Sequence, residues 1–214
     1  MRVIAGSARG RTLLAPPFEK IRPTGDKLKG AIFSMLEAEA FKRGFSAIID
    51  QGDVERFALA LAWPTALDLY AGSGSLGIEA LSRGAIRCDF VEKNGEARST
   101  IRRNLERTSL IERARLHAIS VQQAASRLAG PFDLLLADPP YGDLEAGRAL
   151  LDIASSLVTP SGILIWEHAA KLSAPPWLGP LRLLKSRRHG LSAISLYAAS
   201  NGQRQQGADS EQPA

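Results

Sequence analysis

Apolar positions along this chain change their spacing twice, and each spacing predicts a different kind of element. Near the start, Leu28, Ala31, Ile32, Met35 and Leu36 recur every three or four residues. One apolar stripe then faces inward, which predicts an amphipathic helix to about Lys42 with Thr24 as its N-cap. From Thr65 onward short apolar runs take over: ALDLYA (66–71), CDFVE (88–92), ARLHAI (114–119), DLLLAD (133–138) and GILIWEH (162–168). Runs of this length read as strands buried on both faces, and the helical stretches between them, roughly 75–83, 95–108, 120–129 and 144–158, supply the crossovers that parallel strands need. The alternation predicts an α/β fold with a mostly parallel sheet covered on both sides. The segments around 180–187 and 191–198 have no helix between them, and the His189-Gly190 break predicts an antiparallel hairpin at the sheet's end.

Outside this frame, Arg2 to Ala5 and Thr12 to Leu14 read as two short strands joined through the Gly6 to Gly10 turn. In residues 44–64, Asp53 is placed to cap a short helix through Ala62, and the rest reads as loop. Residues 200–214 lack apolar side chains able to pack and are expected to form a mobile tail.

Composition adds limits. With 214 residues, 45% hydrophobic and 23% charged, the chain can bury a core without staples. Its one cysteine, Cys88, excludes an intrachain disulfide or a Cys-rich metal site, and a reducing compartment is expected. The opening MRVIAGSARGR has no apolar core of a signal peptide, and the uncharged stretch Phe57 to Leu67 contains Pro64 and is too short to span a bilayer. Cytoplasm, with no membrane partner, is the expectation. The net charge of +5 is unevenly placed: the first 30 residues carry seven Lys and Arg against two carboxylates, while the other 184 residues balance at 20 each. An excess confined to one end suits a surface that meets a polyanion.

The first candidate site is ALDLYAGSGSLGIEAL, where Gly72, Gly74 and Gly77 satisfy G-x-G-x-x-G between a strand and a helix. Such a loop lets a nucleoside ligand approach the backbone at the helix N-terminus. Asp68 puts a carboxylate beside it, which repels a pyrophosphate and attracts the ammonium and sulfonium of S-adenosylmethionine. Tyr70 and Ser73 belong to the same cofactor loop. Glu92, twenty positions after Gly72, ends the next strand where an acidic residue can accept both ribose hydroxyls. Ser120, after the third strand, stands where a side chain can reach an adenine amino group or cap the following helix.

The second is Asp138-Pro139-Pro140-Tyr141 at the end of the fourth strand. Consecutive prolines end the ladder and hold the Asp138 side chain and the Pro139 carbonyl in fixed directions. Two acceptors facing one point suit an exocyclic NH2 group, whose lone pair they localise as it attacks a methyl group. Tyr141 offers a flat face for the base, and the target must leave its stack to reach it. His117, His168 and His189 show no metal-ligand spacing, and no G-x-S-x-G elbow is present.

Together MRVIAGSARGRTL, IRPTGDKLKGAIFSML, LDLYAGSGSLGIEALSRGA, FVEKN, DLLLADPPYG and the closing RRHG segment resemble the bacterial 16S ribosomal RNA guanine-N2 methyltransferases of the small subunit, from Met1 to about Tyr197. The resemblance implies a seven-stranded, Rossmann-like, class I methyltransferase fold with an antiparallel last strand and an N-terminal β-hairpin extension. It implies S-adenosyl-L-methionine as cofactor and 16S rRNA, in small ribosomal subunits or their assembly intermediates, as partner. It also implies that Arg22, Thr24 and Asp26 close over cofactor and target base. The domains expected are a basic hairpin over 1–23, a methyltransferase domain over 24–199 and a tail over 200–214, acting as a monomer. Arg2, Arg9, Arg11, Arg22 and Lys27 are expected to hold phosphates. The sequence departs from the family pattern where Lys27 is followed by Leu28, Lys29 and Gly30 in place of an acidic position, and at Ser120 in place of an Asp. The competing readings are an N6-adenine or N4-cytosine methyltransferase and, from another class, a non-catalytic RNA-binding assembly factor.

Overall fold

Among the described residues, eight hydrogen-bonded strands form the sheet around which the chain is built. The computed structural model describes residues 1–17, 25–46, 48–49, 55–56, 58–140 and 146–199. In chain order the elements are α1 (Asp26–Lys42), β1 (Ile48–Ile49), β2 (Glu55–Arg56), α2 (Ala58–Ala62), β3 (Thr65–Leu69), α3 (Ser75–Ser82), β4 (Arg87–Val91), α4 (Gly95–Thr108), β5 (Ala114–His117), α5 (Val121–Arg127), β6 (Phe132–Ala137), α6 (Ala146–Ser156), β7 (Val158–Ala169), β8 (Trp177–Leu178), β9 (Leu181–His189) and β10 (Ser192–Ala199).

The strand order is β5-β4-β3-β6-β7-β10-β9-β8; the first five are parallel, and β10 and β9 complete the sheet antiparallel to their neighbours. This is the Rossmann-like class I methyltransferase architecture that the alternation and the resemblance predict, with the two-residue edge strand β8 added to the seven. Side chains alternate across the sheet as its period of two requires. Leu134, Leu136, Ile165 and Ile194 join a core with Ile32, Phe33, Leu36, Ile78 and Ile101, on the side covered by α1, α3 and α4. Leu135, Ala137, Leu164 and Tyr197 face Val121, Leu150 and Ile153, on the side covered by α5 and α6. The chain winds outward from β3 to β5 and then returns to add β6 on β3's other side. The order therefore reverses between β3 and β6, and at such a switch point the loops diverge from the strands' carboxyl ends and leave a crevice.

Three local expectations change. The helix α1 starts at Asp26 with Gly25 as its cap residue, and no side chain caps it. Thr24, assigned that role from the sequence, and Asp53 lie outside the described residues. Within 44–64 the backbone pairs β1 with β2 where a loop was expected. The predicted N-terminal hairpin is present but short: Arg2 bridges Thr12, and the Val3, Leu13 and Gly10 N–H groups bond the Arg11, Met1 and Val3 carbonyls. The reason is competition for backbone donors: the Ile4 and Ala5 N–H groups bond to Glu79, and the Ser7 and Ala8 N–H groups to the Ser82 carbonyl and hydroxyl. Groups that would have lengthened the ladder instead tie residues 1–14 to α3, with Val3, Ala8 and Leu13 buried in the main core.

Candidate active site

The crevice is built from β3 outward. Tyr70 and Gly72 take left-handed backbone conformations (φ 57° and 55°), and Gly74, at φ 77°, is the cap residue of α3. A side chain at Gly74 would be strained there, and its Cβ would meet Ile101 at 3.2 Å. Gly77 answers a different need. A Cβ there would lie 2.4 Å from Phe90 Cε1 and 2.8 Å from Cys88 Sγ, so only glycine lets the first turn of α3 seat on β4. The G-x-G-x-x-G spacing thus separates into loop-forming and packing glycines.

Asp68 is buried beneath this loop, and its Oδ2 accepts the Gly77 N–H at 2.9 Å. Burial pushes its carboxyl well above the usual carboxylate range, the Gly77 N–H pulls it back, and Asp138 and then Glu92 push it up further. Asp68 therefore feels both neighbouring carboxylates. Register explains why: Asp68 pairs with Leu136 across β3 and β6, which leaves Asp138 two residues further along the neighbouring strand, about 8 Å away between Cα atoms.

Glu92, just past β4, braces the loop. Its Oε2 accepts the Gly72 N–H at 2.9 Å and its Oε1 the Asn94 N–H at 2.8 Å. Asn94 in turn caps α4 by accepting from Glu96 and Ala97. A carboxylate offers about four lone-pair positions, so two remain for further donors. Ser120 is the cap residue of α5, with its N–H bonded to the Gln123 side chain at 3.2 Å. Asp138 and Pro139 follow β6 directly and are half-buried, and Pro140 is exposed. Tyr141, Arg22 and Thr24 lie outside the described residues. Cys88 is buried, and burial raises its thiol well above its ordinary value, so it has no thiolate to use as a nucleophile.

The basic end is distributed differently from the sequence expectation. Arg2, Arg9, Arg11 and Lys27 are exposed, and Arg2 pairs with Asp26 at 3.5 Å while its N–H bonds the same carboxylate at 3.2 Å. Lys29, counted in the basic excess, is fully buried: its Nζ lies 3.4 Å from Glu79 Oε2 and donates to the Arg2 carbonyl at 2.6 Å. Glu79 also receives Arg83 Nε at 3.0 Å. Asn104 on α4 accepts the Leu14 N–H at 2.7 Å and donates to the Leu14 and Ser73 carbonyls, joining the N-terminal segment to the glycine loop. Lys29, Glu79 and Asn104 went unnoticed in the sequence because each sits among ordinary helical polar residues. The only signal was the departure at Lys29.

Comparison with known proteins gives a consistent picture. The family model described as "Conserved hypothetical protein 95" matches residues 1–198. The chain is 32% identical over 202 residues to a Bacillus subtilis protein named "Putative rRNA methyltransferase YlbH", covering 92% of this chain and 98% of that protein. It is 29% identical over 206 residues to "Ribosomal RNA small subunit methyltransferase D" of Haemophilus influenzae, covering 92% and 93%. A solved Escherichia coli structure described as "Putative methyltransferase yhhF" shares the fold with a TM-score of 0.69 at 24% identity, over 93% of this chain and 97% of that one.

Proposed function

The chain belongs to the family described as conserved hypothetical protein 95, and from that membership we propose that it transfers a methyl group from S-adenosyl-L-methionine to the exocyclic N2 amine of a guanine in 16S ribosomal RNA. The observation that carries the reading is the gathering of Asp68, Glu92 and Asp138 at the switch point of the sheet, where burial, Asp138 and Glu92 together raise the cost of ionising Asp68. Such a site disfavours a pyrophosphate and fits a ligand bearing an ammonium and a sulfonium. The names borne by the two relatives support ribosomal RNA as the substrate.

In this reading Asp68, Tyr70, Gly72, Ser73 and Gly74 hold the amino-acid end of the cofactor. Glu92 uses its remaining lone pairs for the ribose hydroxyls, and Ser120 faces the adenine. When bound, the cofactor supplies an electrophilic methyl group. The Asp138 carboxylate and the Pro139 carbonyl accept the two N–H bonds of the guanine amine, which localises its lone pair and stabilises the charge that develops on nitrogen. Pro139 and Pro140 keep these acceptors from turning away, and Tyr141 stacks on the base. Asp138 or water takes the proton that the nitrogen loses. Arg2, Arg9, Arg11, Arg22 and Lys27 hold phosphates, and Thr24 and Asp26 belong to the segment that closes over the base. The small ribosomal subunit or an assembly intermediate presents the target.

The test is transfer of labelled methyl groups to undermodified small subunits and to their free RNA, followed by digestion to nucleosides. N2-methylguanosine is the expected product. N6-methyladenosine, or no transfer with cofactor bound, overturns the assignment.

A further inference from the structure

The overall charge balance outside the first 30 residues hides a second segregation. From Ala169 to Ala199 the chain carries Lys171, Arg182, Lys185, Arg187 and Arg188 and no carboxylate. That stretch includes the whole of β8, β9 and β10. Beyond Leu183, whose N–H bonds the Pro176 carbonyl after the two residues that pair with β8, β9 is the free margin of the sheet among the described residues.

Register arranges these cations. Arg187, Lys185 and Arg182 pair with Ile194, Leu196 and Ala198 of β10. All three partners belong to the core on the α1 side, so the three cations share that face of the sheet. Position 138 continues the same row: Ala137 pairs with Trp166, Glu167 with Ile194, and Ile194 with Arg187. Three strand spacings separate Asp138 from Arg187, about 14 Å. Arg182, Arg187, Arg188 and Lys171 are exposed and Lys185 is half-buried. Among the described residues none of the five forms an ion pair.

From this placement we infer that β9 and its turn form a second RNA-docking surface, which binds backbone phosphates flanking the target nucleotide. The inference rests on the RNA-methyltransferase reading and adds to it a surface on the opposite side of the crevice from the glycine loop. Charged side chains, lysine above all, also guard free sheet edges against pairing with another chain, but three of the four cations on β9 are arginines, whose planar fork suits phosphate. An edge with one sign only, continued into the turn at Lys171, is complementary to a polyanion. Phosphates bound there would hold the strand on the rim while its base turns into the site, and the N-terminal arginines would hold a separate part of the RNA.

The test compares the wild-type chain with the triple variant Arg182→Gln, Lys185→Gln, Arg187→Gln. Binding to a small-subunit rRNA transcript is measured across a range of salt, with cofactor affinity and melting temperature as controls. Each lost phosphate contact should remove about 0.7 to 0.9 from the slope of log affinity against log salt, so the slope should become shallower by about 2 to 3. In methyl transfer, KM for RNA should rise while kcat is largely kept. An unchanged slope with cofactor binding intact overturns the inference, whether the cations serve an acidic protein surface or only guard the edge. If the wild-type chain binds the transcript with the expected slope loss in the variant yet makes no N2-methylguanosine, the functional assignment falls and the docking surface stands. If it makes N2-methylguanosine and the variant keeps its slope, only the docking surface falls.

Discussion

Replacing Glu79 by alanine should be among the most damaging single changes outside the crevice. The Glu79 carboxylate takes the Ile4 N–H at 2.8 Å, the Ala5 N–H at 3.0 Å, Arg83 Nε at 3.0 Å and the Lys29 ammonium at 3.4 Å. Both Glu79 and Lys29 are wholly buried. Among the described residues, Glu79→Ala leaves the ammonium with the Arg2 carbonyl as its remaining short contact, and it removes the acceptor of two backbone donors. Breaking a buried pair from one side costs about 3 to 5 kcal/mol. For a chain of this size that is a fall of about 6 to 20 °C in melting temperature. Lys29→Met should cost less than half as much, because Glu79 keeps Arg83 and both N–H groups while the burial of an ammonium is avoided.

Burial already lowers the Lys29 pKa below 10.5, with Glu79 pulling it back up. Between the lowered and the ordinary value the unfolded chain holds more protons than the folded one, so stability from this site rises with pH. Without Glu79 the folded pKa falls further, so the deficit of Glu79→Ala should shrink as pH approaches 10.5. Denaturant unfolding followed by circular dichroism at neutral pH and near pH 9.5, with protease cleavage of residues 1–14 as a local readout, measures this. A loss under about 1 kcal/mol at neutral pH would refute the reasoning, since it would mean that water or another group already solvates Lys29.

Three further outcomes follow from the site. The raised Asp68 carboxyl should ionise when a cationic cofactor binds, so affinity for S-adenosylmethionine should rise as pH climbs through that raised value, with proton release; calorimetry in buffers of different ionisation heat checks it, and Asp68→Asn should flatten the profile. Asp138→Ala should lower single-turnover methyl transfer by about 10²- to 10³-fold, with cofactor affinity changed little; wild-type turnover would remove Asp138 from the chemistry. Gly77→Ala forces a methyl group against Phe90 and Cys88 and should destabilise the fold by about 1 to 3 kcal/mol, read as a lower denaturation midpoint.

The fold was largely legible because its signals are local. Buried parallel strands need short apolar runs, and β3, β4, β5 and β6 fall within a residue or two of those runs. The helix predicted over 95–108 is α4 itself. Asp68, Glu92 and Asp138 could be picked out because a strand's carboxyl end is a position that the sequence marks. The N-terminal hairpin forms but stays short for a physical reason: turn residues between two apolar runs predict a full ladder only when nothing else competes for the donors, and Glu79 and Ser82, more than 70 positions away, do compete.

Taken alone, the chain's sequence determined its elements, the glycine loop, the proline-locked Asp138 and a basic beginning, because periodicity and backbone chemistry act within a few residues. Tertiary structure decided what those parts become together. Strand order alone puts Asp68 and Asp138 on either side of one switch point. Packing turned Lys29 from a surface charge into a buried anchor. The register of β9 aligned three cations on one face, with Arg187 in the row that begins at Asp138. Electrostatic fields and hydrogen bonds depend on distance in space, and only the folded sheet sets those distances.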